Sequence, residues 1–227
     1  MDTKDSTVEQ LEKIHKSTRL VEVVSYTPDA EKIIGYCARA SAPKNQLNFD
    51  TSAKLIAYCI KNQHWSVFET ASLTLQIKTS RAIGTQILRH RSFTFQEFSQ
   101  RYAAVDSSGV VLYAARRQDD KNRQNSVDDL GEEVKKEWND RQLENWKQSF
   151  AHYTWALDNG IAKECARFVL PLGTSTTLYM SGTLRSWIHY CELRCSNGTQ
   201  REHSDIAIEC KNIFVQLFPD TAKALNW

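Results

Sequence analysis

The sequence predicts one mixed domain in which β-strands and α-helices alternate. Three observations carry this reading. A length of 227 residues suffices for one core of ordinary size. Leu73, Leu75 and Ile77 alternate with Thr74, Gln76 and Lys78, the period-two mark of a half-buried strand. Several other apolar stripes recur at spacings of three and four, the mark of helices with one buried face.

In order along the chain, a β-branched run at 20–24 predicts the first strand. Thr27-Pro28-Asp29 then offers an N-cap, a first-turn proline and an acidic residue to a helix through Ile33, Ile34 and Cys37. Asp50 or Thr51 caps a second helix, whose Leu55, Ile56, Cys59 and Ile60 repeat at helical spacing until about Asn62. The strand at 73–78 leads into a helix through Ile83 and Ile87, capped by Ser80 or Thr79. The stretch 105–142, with its Arg116-Arg117-Gln118-Asp119-Asp120-Lys121 run, is the most polar part and reads as a mobile surface excursion from a single domain spanning 1–227. Trp138, Trp146, Phe150, Tyr153 and Leu157 form the core stripe of a helix for which Gly160 suits the C′ position. After Pro171, 174–180 reads as a strand, and Leu184, Ile188, Cys191 and Cys195 mark one face of the helix that follows, with Arg185 and His189 on another. A last helix runs through Ile206, Cys210, Ile213 or Phe214, and Leu217, and stops before Pro219.

Composition narrows the chemistry. A net charge of +2 gives no overall basic excess for nucleic acid or an anionic membrane, so any anion site is local. No apolar run nears the roughly 20 residues of a membrane span, and the amino-terminal residues lack a signal peptide's pattern, which predicts a soluble cytoplasmic protein. The six cysteines mostly occupy apolar stripes with no C-x-x-C pair, as reduced core residues do. No metal-ligand spacing such as H-E-x-x-H occurs, and Asn197-Gly198-Thr199 reads as an accidental glycosylation match.

The chemistry concentrates in 86–102. On a helix Gln86 shares a side with Arg89 and His90, so an amide, a guanidinium and an imidazole converge while Arg91 points elsewhere. Beyond the helix an extended backbone presents Glu97, Ser99 and Arg101 on one face, an arrangement suited to phosphate. Two plainer readings compete: a solvated basic helix end, or arginines on nucleic-acid phosphates with Phe93, Phe95 and Phe98 stacking on bases. A nucleotide hydrolase with Glu97 as base is a further alternative.

Arg89-His90-Arg91, seven residues and then Ser99 resemble the R-H-R-x7-S signature of the flavin-dependent thymidylate synthases. Four more blocks occur in that family's order: His64-x-Ser66-x-Phe68-Glu69, Gln86-x-x-Arg89, Ala166-Arg167-x-x-Leu170-Pro171, and a helix ending Leu193-Arg194. The resemblance spans about 20–218, outside the polar excursion. It implies an α+β fold with a twisted, mainly antiparallel sheet and flanking helices, assembled as a homotetramer with sites between subunits. It also implies that His64, Ser66, Arg89, His90, Arg91, Glu97, Arg185 and His189 contact FAD. Gln86, Arg89, Glu97, Ser99, Gln100, Arg101 and Arg167 are implied to hold dUMP, and Arg194 to activate its uracil ring. NADPH is the implied reductant and 5,10-methylenetetrahydrofolate the implied carbon donor, with the hydride delivered through the flavin. Departures are Gln96, Thr94 and His189, each a polar replacement, and 195–200, which lacks the histidine many members place there. Neither Ser99 nor any cysteine stands in a setting that would make it a nucleophile.

Overall fold

Four antiparallel strands form the centre of the molecule in the order β1-β2-β6-β3, where β1 is Val21–Tyr26, β2 Ser72–Ser80, β3 Thr94–Glu97 and β6 Ser175–Thr183. This is a computed structural model that describes residues 3–107 and 109–227. The fold is α+β. Helices α1 (Thr3–Lys16), α2 (Ala30–Ala38), α3 (Ser52–Lys61), α4 (Arg81–Ile87), α5 (Glu132–Asp158), α6 (Lys163–Ala166), α7 (Leu184–Arg194), α8 (Arg201–Leu217) and α9 (Pro219–Ala224) accompany the sheet. A short hairpin of β4 (Arg117–Gln118) and β5 (Ser126–Val127) lies in the polar stretch.

The alternation in β2 does what its period predicts. Leu73, Leu75 and Ile77 are fully buried against a core that includes Leu178 and Met180 of β6 and Leu184, Trp187 and Cys191 of α7. Thr79 continues the buried face of Leu73, Leu75 and Ile77, and Gln76 and Ser80 are buried on the opposite face of this central strand, which is paired on both edges. Ser80 caps α4, its hydroxyl accepting from the Ile83 N–H at 3.4 Å. A second core under α5 gathers Val105, Trp146, Tyr153, Ala156 and Ala166.

Several local expectations need correction. Thr27 does not cap α2: its backbone and hydroxyl join the start of β2 at Ser72, and Asp29, in the left-handed region at φ 50, stands at the cap with its carboxylate on Lys32 and not on a helix N–H. Thr51 does precede α3, yet its hydroxyl accepts from Arg39 at 2.8 Å instead of closing the helix. Trp138 is exposed on α5 and donates to the Tyr113 carbonyl, so the core stripe begins at Trp146. Gly160 takes φ 76 just past α5, as expected of C′. Pro219 ends α8 and also opens α9, a helix not expected above, because a proline that cannot continue one helix suits the first position of the next.

The polar stretch is tied to the body. Val111 N–H donates to Gly173 O and Ser175 N–H to Gly109 O, Arg117 grips Asp129 and Asp120, and its last residues already belong to α5. A largely buried ion pair ties it further, Arg116 Nη2 to Glu202 Oε1 of α8 at 2.6 Å, with the two side chains 12% and 15% exposed.

Candidate active site

The junction from β6 into α7 organises the site. Thr183 caps α7 by accepting from Ser186 N–H, and Trp187 locks the helix to the sheet by donating Nε1–H to Leu73 O at 2.9 Å. At Gly182 a Cβ would lie 2.5 Å from the Phe93 ring, so only glycine admits that ring beside β6. Phe93 in turn stands edge-on to Trp187 at 4.9 Å and meets Tyr190 at 6.0 Å and His90 at 6.5 Å. The turn carrying Arg89, His90 and Arg91 is thereby anchored by an aromatic wedge.

Gln86, Arg89 and His90 do not share a helix face, because α4 ends at Ile87 and the other two lie in the turn beyond it. Gln86 and His90 still come together. His90 is buried, and Arg194 at the end of α7 donates Nε–H to His90 Nε2 at 2.8 Å. His203 of α8 completes the group, its Nδ1 3.3 Å from Gln86 Oε1, its Nε2 3.2 Å from the Tyr190 hydroxyl, and its ring perpendicular to His90 at 6.1 Å. Burial, then Arg194, then His189 lower the pKa of His90 to about 4, and burial, Arg194 and His90 do the same for His203. Both imidazoles are neutral near pH 7.

Arg89 and Arg91 are exposed, and their guanidinium groups have no hydrogen-bond or ion-pair partner among the described residues. Arg185 and His189 line one cavity of about 450 Å³ together with Trp65, Glu69, Ser92, Ser186, Ile188 and Glu192, and Arg185 is ion-paired to Glu69. Ser66 sits exposed in the Trp65–Glu69 turn, and His64, just before it, stacks edge-on with Tyr58 at 5.8 Å.

Glu97, Ser99 and Arg101 are not on one extended face. The β3 ladder ends at Glu97, and the chain turns at Ser99, whose carbonyl accepts from Tyr102 and Ala103 N–H. Glu97 instead meets Arg81 at 2.6 Å and the Thr176 hydroxyl at 2.8 Å, an ion pair that removes it from the role of free general base. Arg101 pairs with Glu164 of α6 at 3.0 Å, and Arg167 lies over the Phe168 ring at 5.5 Å. No hydrogen bond or ion pair among the described residues joins these two arginines to the His90–Arg194 group. Gln100 is buried, and its Nε2 has no partner among the described residues.

Sequence reasoning missed Arg81, Glu164 and the His203 cluster. His203, Ile206, Ala207, Cys210 and Phe214 are the buried stripe of α8. Extending the apolar period one turn back would have found it. All six cysteines are free, and burial pushes the thiols of Cys59, Cys191 and Cys210 up, away from the thiolate a nucleophile needs.

An antiparallel α+β protein with a buried imidazole pair held by one arginine, and exposed arginines on the adjoining turn, is the class that fold and site define. The family model described as thymidylate synthase complementing protein matches residues 22–220. A probable flavin-dependent thymidylate synthase of Paramecium bursaria Chlorella virus 1 is 57% identical over 205 residues, covering 90% of this chain and 94% of the relative. The flavin-dependent thymidylate synthase of Synechocystis sp. is 53% identical over 197 residues, covering 87% and 90%. Among solved structures, a UMP/dUMP methylase from Streptomyces cacaoi bound with 5-Br dUMP superposes with a TM-score of 0.80 at 24% identity, over 91% of this chain and 94% of that one, a likeness of fold. The chain belongs to the flavin-dependent thymidylate synthase family.

Proposed function

We propose that the chain methylates dUMP to dTMP with a bound FAD, consuming 5,10-methylenetetrahydrofolate and NADPH and releasing tetrahydrofolate and NADP⁺. The observation that carries the reading is the bond from Arg194 Nε to neutral His90, which joins the Arg-His-Arg turn to the end of α7. Family membership supports it across the chain.

The residues fit a dinucleotide and a nucleotide. Arg89 and Arg91 present unpaired guanidiniums to diphosphate oxygens, Trp65 walls the cavity of Arg185 and His189, and Ser66 and His64 flank it. The orphaned Gln100 amide, an arrangement that costs about 1–3 kcal/mol in a buried site, favours a ligand acceptor there. A flavin, when bound, supplies hydride chemistry that no side chain possesses.

The chain's own part is orientation and charge. With Nε held by His90, the terminal nitrogens of Arg194 have no partner among the described residues and are free to face uracil O2 and N3. They stabilise negative charge there as C5 becomes nucleophilic, so no protein nucleophile is required. A protonated His90 would repel Arg194, so its low pKa keeps the pair intact. Ser99 and Arg101 offer a hydroxyl and a fork to the nucleotide phosphate, with Arg167 and Gln86 as further donors and Glu97 held by Arg81 as the acceptor beside them.

On the same reading the whole chain is one catalytic domain, four copies assemble with sites between them, and the enzyme works in the reducing cytoplasm. Tyr102, Phe168 and Leu172, 87%, 79% and 71% exposed around the Arg101 and Arg167 segments, support burial against another copy. Six free thiols suit the compartment. No helix among the described residues is long and apolar enough to cross a membrane.

The test is the visible spectrum of the purified protein, then anaerobic NADPH, then product analysis with dUMP and methylenetetrahydrofolate. A flavin spectrum bleached by NADPH, with dTMP formed, is the expected result. A protein that neither carries nor accepts FAD overturns the reading.

A further inference from the structure

Hydrogen bonds among Glu202, Gln200, Gln86, His203 and Tyr190 form one connected line, and its first member gives it a direction. Burial pushes the Glu202 carboxyl up, but the bonds from Gln200, its own backbone N–H and Arg116 outweigh that, so it stays ionised below its ordinary range. A carboxylate only accepts. Gln200 must therefore turn its NH₂ toward Glu202 Oε2, at 2.9 Å, which leaves its Oε1 facing Gln86. That oxygen accepts from Gln86 Nε2 at 2.7 Å, which places Gln86 Oε1 toward His203 Nδ1 at 3.3 Å. An amide oxygen also only accepts, so the single proton of neutral His203 sits on Nδ1, and Nε2 accepts from the Tyr190 hydroxyl at 3.2 Å. Reversing any one link sets two acceptors or two donors against each other.

We propose that Glu202 and His203 are positioning residues for Gln86, fixing its amide with the oxygen turned inward and one N–H left to bind an acceptor oxygen of the nucleotide. Gln86 Nε2 carries two hydrogens and gives one to Gln200; no other acceptor for the second exists among the described residues. The nucleotide in this statement rests on the proposed function, whereas the direction of the chain rests on the residues alone. Arg116, which holds Glu202, lies in the polar stretch, so that stretch contributes to the site through the ion pair. Without the chain a glutamine amide presents oxygen or nitrogen to a ligand with little preference, and half the bound encounters place acceptor against acceptor.

Two measurements test it. Nitrogen-15 NMR of the holoenzyme with labelled histidine, before any substrate is added, should show His203 with a protonated Nδ1 and an unprotonated Nε2; the opposite tautomer overturns the chain. The second compares His203→Asn, whose amide nitrogen stands near the place of Nδ1, with His203→Gln, whose amide reaches the place of Nε2. His203→Gln should raise the KM for dUMP about tenfold at nearly constant kcat, the scale of one lost hydrogen bond, while His203→Asn recovers most of the affinity. Glu202→Gln, which lets the amides flip, should raise KM in the same way. Flavin content and Tm of each variant separate misfolding from the effect. Equal KM changes for the two His203 variants overturn the proposal. A wild-type enzyme that makes no dTMP sinks the parent reading instead, and leaves the tautomer result standing.

Discussion

Arg194 and Arg101 are both arginines at the proposed site, but their surroundings assign them different work. Arg194 is half-buried and pinned through Nε to His90, so its free nitrogens hold a fixed direction. Preorganised donors act most where charge develops, and losing one typically costs about 10²–10³ in kcat. Arg194→Ala is therefore expected to keep FAD and fold while dTMP formation falls by about that factor; near-normal turnover would remove Arg194 from the chemistry. Arg101 is two-thirds exposed and paired with Glu164, a surface contact of about 1 kcal/mol or less that yields readily to a phosphate. Arg101→Ala should raise the half-saturating dUMP concentration about tenfold with kcat little changed, as uniform binding is lost. An unchanged requirement in steady-state assays would exclude it from the phosphate site.

The strand-to-helix junctions convert local sequence into site geometry, and β6–α7 is the most constrained of them. Gly182→Ala would drive a methyl into the Phe93 ring, whose own neighbours Trp187 and Tyr190 are fully buried and cannot retreat. Overpacking of this kind costs about 1–3 kcal/mol, so a lower Tm is expected, together with weaker FAD retention as the Arg89–Arg91 turn shifts. A variant with unaltered Tm would show that the ring moves freely. The same junctions explain what was legible in the sequence. β2 with its Ser80-capped helix, and β6 with the apolar face of α7, follow from period and capping, which are local properties. Helix α1 was missed because Val8 and Leu11 stay largely exposed and mark no core stripe. The end of β3 was misjudged because the turn at Ser99 answers to pairing with β6, through Phe98 N–H on Thr177 O, and not to residue type. Motif blocks named the candidate side chains, but partners such as Arg81 for Glu97 arise only when α4, β3 and β6 meet in three dimensions.

At the scale of the whole molecule, the buried imidazoles make stability depend on pH between about 4 and 6.5, where Glu202, held below its ordinary 4.5, adds to their effect and Glu31, raised above 4.5 by burial, opposes it. His90 and His203 have folded pKa values of about 4 against an ordinary 6.5, so between these limits the unfolded chain binds protons that the native protein refuses. Stability then rises with pH, because ∂ΔG/∂pH follows the excess of protons on the unfolded state. Above 6.5 the contribution is complete; it drains away as pH falls toward 4, where the native histidines at last take up their protons. A shift of this size is worth on the order of 3 kcal/mol per histidine, an upper figure since the two rings and Arg194 interact. Asp119, Asp128 and Asp129, held below the usual carboxylate range by hydrogen bonds from Asn122 and Lys121, by Lys135 and by Arg117 respectively, lose their contribution only at lower pH. Urea midpoints measured across the window should therefore fall steadily on acidification. His203→Asn should lower stability at neutral pH and roughly halve the slope, because one of two proton-refusing rings is gone. A slope unchanged by the substitution would mean that His203 titrates normally in the folded protein, and that the neutral pair beside Arg194 is His90 alone.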